Sequence, residues 1–225
     1  LKSISMALLP SIKAKILSVR NLTDYTFVIR FERKEGFDFS AGQYIIVRLP
    51  GSSESREYSI YSAEHDNYLE LLIREVEDGN LSKILKNLKP GAFIELEGPF
   101  GFFVIDKSEM SRRMYYLIAT GTGISPFHSY IRSHNGLNYK VLHGVRYANE
   151  NYESYFYNPD QSVLCTTRDT NGDYHGRVTH YLKENPGQPD ALYYLCGNSA
   201  MINDVFDILE ELGVPPENIR TEVYF

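Results

Sequence analysis

The sequence contains no tryptophan and only two cysteines, Cys165 and Cys196. Two cysteines cannot build a disulfide framework, a structural zinc cluster or an iron–sulfur cluster. The histidines, at 65, 128, 134, 143, 175 and 180, never fall into a metal-ligand spacing. There is no G-x-S-x-G nucleophile elbow and no Walker phosphate loop, which removes the commonest hydrolase and NTPase readings. No apolar run approaches the roughly 18–20 residues that cross a bilayer, so no membrane partner is expected. A net charge of −6 argues against nucleic acid as a partner. The first 15 residues carry an apolar patch, Ile4–Leu9, without the arginine-rich character or cleavage site of a targeting segment. They are expected to be a short leader to the first strand of a cytoplasmic protein.

Aromatics are plentiful, with 18 Tyr and 12 Phe. This suits stacking on a planar cofactor, although tyrosine-rich cores and surfaces are commoner. The acidic excess is uneven. Residues 1–100 hold 13 basic and 14 acidic side chains, and residues 101–225 hold 10 and 15.

The chain also changes period part-way along. Up to about residue 105 it reads as short strands rich in β-branched and aromatic residues, at 12–19, 25–31, 43–49, 56–61, 69–76 and 92–98, separated by Asn, Asp, Gly and Pro turns. One exception, residues 77–91, places Leu81, Ile84, Leu85 and Leu88 at helical spacing and stops at Pro90-Gly91. Six strands and one helix predict a small closed antiparallel β-barrel. From about 110 the pattern alternates. Apolar runs at 114–119, 139–145, 162–166 and 191–197 are each followed by a helix candidate, and a short strand, Ile219–Phe225, ends the chain. That alternation predicts a doubly wound five-stranded parallel sheet in an α/β domain, with ligands outside the carboxyl ends of its strands. The expected domains are 1–108 and 109–225, with the boundary inside Asp106–Arg113.

Three local patterns carry chemistry. Arg56 and Tyr58 share one face of a strand by its period of two, so a guanidinium fork and an aromatic ring stand side by side. The same pattern also fits a half-buried strand with a solvated arginine. Gly79-Asn80-Leu81-Ser82 opens the amphipathic helix, where free N–H groups and the positive dipole end suit an anion, or simply where a hydroxyl caps the helix. Gly121-Thr122-Gly123, after an apolar run, begins like a dinucleotide fingerprint but has Pro126 where its third glycine belongs.

Taken in order, these motifs resemble the ferredoxin–NADP⁺ reductase family across nearly the whole chain. Arg56-Glu57-Tyr58-Ser59 is similar to the family's R-x-Y-S/T motif, and Gly79–Ser82 to its pyrophosphate helix start. Phe39–Tyr44 and Gly98–Ile105 look like the flanking barrel segments. Gly121–Pro126 resembles its G-T-G-I-x-P loop, in which proline is usual, and Leu195–Ile202 its C-G-x-x-x-M segment. The ending, Tyr224-Phe225, is aromatic as in bacterial members.

The resemblance implies FAD and NADP(H) as cofactors and electron exchange between NADPH and ferredoxin or flavodoxin, by a monomer. It implies Arg56 and Ser82 on the FAD diphosphate, Tyr58 and Tyr224 on the two faces of the flavin, and the Ser59 hydroxyl near the hydride-accepting atom. Glu57, Leu72, Ile73, Arg74, Asn80, Leu81 and Thr122 join this FAD set, with Phe225 on the adenine. Cys196 and Glu222 would stand with Ser59 and Tyr224 as the catalytic group, although Cys196 also reads as a small buried hydrophobe and Glu222 as an exposed strand residue. Gly121, Thr122, Gly123, Gly197, Asn198 and Met201 would line the nicotinamide side. Arg146, Arg168 and Arg177, with Thr167, match the family's 2′-phosphate positions, though surface arginines would look the same. Acidic carriers would need a basic patch, for which Arg30, Arg33, Lys34, Arg48 and Lys83 are candidates. The rival readings are the NAD(P)H-dependent reductase component of an oxygenase, a free-flavin reductase, and a non-enzymatic module on the same fold.

Overall fold

A computed structural model describes residues 11–224, so the leader and Phe225 lie outside the described residues. The first half forms β1 (Ile12–Asn21), β2 (Thr26–Glu32), β3 (Tyr44–Arg48), β4 (Ser55–Ser59), β5 (Tyr68–Arg74), α1 (Asn80–Asn87) and β6 (Phe93–Phe100). The sheet order is β4-β3-β6-β1-β2-β5, all antiparallel. Its open edges approach just past β4, where Tyr61 N–H donates to Glu70 O at 2.8 Å. Alternation explains the interior. Leu69, Leu71 and Ile73 of β5 meet Phe27, Ile29 and Phe31 of β2 inside the barrel, where α1 adds Leu81 and Leu85.

The second half comprises β7 (Tyr115–Thr120), α2 (Ser125–Ser133), β8 (Tyr139–Val145), β9 (Ser162–Thr166), β10 (Tyr174–His175), α3 (Val178–Glu184), β11 (Leu192–Asn198), α4 (Ser199–Glu211) and β12 (Ile219–Tyr224). Its parallel order is β10-β9-β8-β7-β11-β12. The two-residue edge strand β10 makes six where five were expected. It is too short to show a period. No α-helix follows β8 either. Residues 148–161 form three short 3₁₀ turns, with Glu153 in the left-handed region (φ 46°) and Pro159 opening the last turn. Strand order reverses between β7 and β11, so the crevice at their carboxyl ends is the topological switch point.

The aromatics mostly fill a core between the halves. Tyr61 and Phe103 from the first half pack with Tyr115, Phe127, Tyr130, Tyr152, Tyr157 and Tyr194 from the second. Such side chains contribute roughly 1.5–3 kcal/mol each on full burial, and polar groups among them tie the halves together. Tyr194 donates to Val104 O at 3.0 Å, Tyr130 donates to Phe103 O, and Ser129 donates to Ser62 O at 2.7 Å. The Arg132–Asp66 ion pair, at 3.0 Å, joins α2 to the loop before β5. These bonds fix the crevice of the parallel sheet against the barrel wall that carries β4 and β5.

Candidate active site

A cleft of about 630 Å³ opens along that junction, a volume typical of ligand pockets. It is lined by β4 (Arg56, Glu57, Tyr58, Ser59), β5 (Leu72, Ile73, Arg74), α1 (Leu81, Ser82), Thr122 after β7, and Glu222 and Tyr224 on β12. These residues come from separate segments of the sequence, and the fold brings them to one wall. Leu72, Ile73 and Leu81 are at most 4% exposed and belong to the cores behind it.

At the meeting of the halves, Tyr224 OH donates to Ser59 Oγ at 2.7 Å, and Ser59 Oγ donates to Glu222 Oε1 at 2.6 Å. Ser59 is only 4% exposed. Burial raises the Glu222 carboxyl above its usual range, against the pull of the Ser59 bond. The three therefore form one proton-holding chain at the cleft wall. Burial likewise lifts the Tyr224 phenol, and pushes Tyr58 up to about 12. Cys196 pairs with Glu222 across β11 and β12 and is fully buried. Burial, with the Glu222 charge adding to it, raises its thiol well above normal, so it stands as a protonated packing group beneath the chain of hydroxyls.

The other end of the cleft suits an anion. Helix α1 starts after Gly79 with no side-chain cap and no acidic residue in its first turn, leaving N–H groups for a ligand. The Ser82 hydroxyl accepts from Val76 N at 3.2 Å and shapes the turn into the helix. Arg56 faces Glu54 at 3.2 Å, and Asn80 Nδ2 donates to the same carboxylate at 3.3 Å. A diphosphate taking Arg56 and Asn80 must displace Glu54. This donor set, beside the Tyr58 ring, fits a dinucleotide flavin.

The parallel sheet supplies the second set. Gly123 has no room for a side chain: a Cβ would stand 2.4 Å from Cys196 O, so this glycine serves close packing on β11 rather than ligand approach. Gly197, at φ 139°, is held likewise, its absent Cβ falling 2.2 Å from Thr120 Oγ1. Pro126 sits in the first turn of α2, where its missing N–H is harmless. Asn198 caps α4 by accepting from Met201 N at 2.9 Å and donates to Thr120 Oγ1 at 3.1 Å. Met201 packs in the core of the second half. Arg146, Arg168 and Arg177 are exposed at the carboxyl ends of β8, β9 and β10, and Arg168 N–H donates to Arg146 O at 2.8 Å, so two of these loops run side by side. Exposed Thr167 lies between them. Among the described residues none of the three guanidiniums has an ion-pair partner.

His143, on β8, steadies the loop after β7. Its Nε2–H donates to Gly121 O at 2.9 Å, and burial lowers its pKa to about 4. A folded pKa below the unfolded value of about 6.5 makes the neutral ring stabilising above that pH, and the contribution, about 3 kcal/mol, fades as pH falls towards 4. Urea unfolding at about pH 7.5 and pH 4.5 is expected to show a smaller acid loss for His143→Gln than for the wild type; parallel losses would contradict the assignment.

Sequence reasoning missed Tyr44, Ile46, Glu54, Ser55, Val76 and Val223, which also line the cleft. Period two could have found three of them. Tyr44 and Ile46 alternate with the core residues Ile45 and Val47, and Glu54 shares the face of Arg56. The proposed basic patch is mostly neutralised. Arg30 pairs with Glu70 at 2.9 Å, Lys34 with Glu32 at 2.7 Å, Arg33 with Asp38 at 3.5 Å, and Arg48 with Glu97; Lys83 donates to Glu77 O.

A flavin-type cleft on a barrel, facing the switch point of a parallel sheet, defines a two-domain nucleotide-dependent oxidoreductase. Residues 12–105 match the oxidoreductase FAD-binding domain, and residues 117–207 the oxidoreductase NAD-binding domain. Ferredoxin–NADP reductase B of Sorangium cellulosum is 29% identical, with 94% of this chain and 97% of that protein covered. The toluate 1,2-dioxygenase electron transfer component of Pseudomonas putida is 28% identical, covering 94% of this chain and 67% of that protein. The fold superposes on a ferredoxin NADP⁺ reductase from Neisseria gonorrhoeae solved with FAD and NADP, at TM-score 0.82 and 24% identity, over 96% and 99% of the two chains. The chain therefore carries an FAD-binding and an NAD-binding oxidoreductase domain, and it is similar to ferredoxin–NADP reductases along nearly its whole length.

Proposed function

We propose that this protein exchanges electrons between NADPH and ferredoxin or flavodoxin, as a cytoplasmic monomer with an FAD domain over 1–108 and an NADP(H) domain over 109–225. The observation that carries this reading is the Tyr224–Ser59–Glu222 chain, which joins the barrel's R-x-Y-S strand to the last strand of the parallel sheet. FAD, when bound, supplies a hydride acceptor that also gives up electrons singly. Arg56, Asn80, Ser82 and the start of α1 would hold its diphosphate, and Tyr58 would stack on its ring. Ser59 presents a hydroxyl that accepts from Tyr224 and donates its own proton to Glu222. Tyr224 is half-buried over the cleft and leaves when nicotinamide enters, breaking its bond to Ser59. Arg146, Arg168 and Arg177 would take the 2′-phosphate of NADPH.

A second reading, the reductase component of an oxygenase, is favoured by the likeness to the toluate dioxygenase component and by the paired charges of the candidate carrier patch. Reduction of purified ferredoxin or flavodoxin at saturating NADPH separates the two. Flavin reduction that is faster with NADH, with no onward transfer to either carrier, would favour the oxygenase role.

A further inference from the structure

One carboxylate touches both cofactor regions. Glu150, its side chain 12% exposed, receives Arg74 Nη1 on Oε1 at 3.3 Å, from the wall of the FAD cleft. Its Oε2 accepts Arg146 N–H at 2.8 Å and Tyr147 N–H at 3.1 Å. The loop that presents the Arg146 guanidinium is therefore folded around Glu150. Its neighbour Ala148 N–H is held by Asp169 Oδ2 at 2.8 Å, which joins it to the loop that presents Arg168. The far end is pinned to the barrel by the Arg20–Glu153 pair at 2.8 Å and the Thr26–Tyr152 hydroxyl bond at 3.1 Å.

A negative group this close to an anion site would repel the anion unless it were neutralised. Two N–H donors and the Arg74 cation do that here. Arg74 thereby reaches the nucleotide loop through the Glu150 carboxylate.

We propose that Glu150 is a positioning residue for selectivity between phosphorylated and unphosphorylated nucleotide: it locks the 146–150 loop against the flavin cleft so that Arg146 meets a 2′-phosphate. The inference rests on the reading that Arg146 and Arg168 bind that phosphate. Calorimetry on the FAD-loaded protein, with adenosine 2′,5′-bisphosphate and with 5′-AMP, tests it. Glu150→Ala should weaken the bisphosphate roughly tenfold, the size of one or two lost hydrogen bonds, and leave 5′-AMP within about twofold. Glu150→Gln keeps an acceptor for the loop but not the charge opposite Arg74, and should fall between. Flavin absorbance and melting temperature report that the variants are folded and loaded. Bisphosphate affinity within about twofold of the wild type in Glu150→Ala, or equal loss of both ligands, overturns the proposal while leaving the 2′-phosphate reading intact. A wild type that binds both ligands alike overturns the 2′-phosphate reading, and this inference with it.

Discussion

Replacing Ser59 with alanine is expected to lower NADPH-dependent turnover about a hundredfold, while FAD stays bound. The hydroxyl is the middle member of a three-residue chain. Removing it leaves the Tyr224 hydroxyl without its acceptor and the half-buried Glu222 carboxyl without its donor. A positioned group that holds a proton beside the reacting atoms commonly contributes 10²–10⁴-fold, and the lower end applies because Ser59 positions rather than abstracts. The diphosphate end of the cleft is untouched, so stoichiometric flavin absorbance should persist. Stopped-flow bleaching of the flavin band by NADPH reads the step directly. A variant that bleaches at the wild-type rate would remove Ser59 from the catalytic group, and one that loses its flavin would make it a cofactor ligand instead.

The second large effect concerns the nucleotide. The double change Arg146→Ala, Arg168→Ala is expected to raise the KM for NADPH about a hundredfold and leave that for NADH within about threefold. Each charge-assisted bond to a phosphate is worth roughly 1.5–3 kcal/mol, and tenfold corresponds to 1.4 kcal/mol. Both guanidiniums are exposed, so the wild-type preference should itself shrink as salt is raised. Steady-state kinetics with the two nucleotides at about 20 and 500 mM salt measure this. Equal losses for NADPH and NADH would show that the loops hold the adenosine and not its phosphate.

What was legible in the sequence was what is local. The β4 strand motif, the amphipathic α1 and the Gly121–Pro126 turn each declare themselves within a few residues, because strand period, helix period and turn chemistry are short-range. Helix α4 likewise buries Met201, Ile202, Val205, Ile208 and Leu209 on one face, at the spacing its sequence carries. The stretch after β8 misled because Tyr152, Phe156 and Tyr157 sit at near-helical spacing. Tertiary packing between the halves claims Tyr152 and Tyr157 instead, and the left-handed Glu153 breaks any helix. The Ser59–Glu222 bond spans 163 positions, so no spacing rule could reach it; only the family's ending pointed there. Glu150 escaped notice for a related reason. Its local hydrogen bonds are those of an ordinary turn, and its contact with Arg74 exists only once the sheet and barrel meet.

The central claim is that one cleft takes FAD from the barrel and accepts electrons from NADPH at the Ser59 wall. The most direct measurement is the visible spectrum of the purified, FAD-reconstituted protein during anaerobic titration with NADPH and, separately, with NADH. The account predicts a yellow protein with one FAD per chain, bleached by about one equivalent of NADPH and far more slowly by NADH. A protein that stays colourless after reconstitution, or one bleached only by NADH, would contradict it.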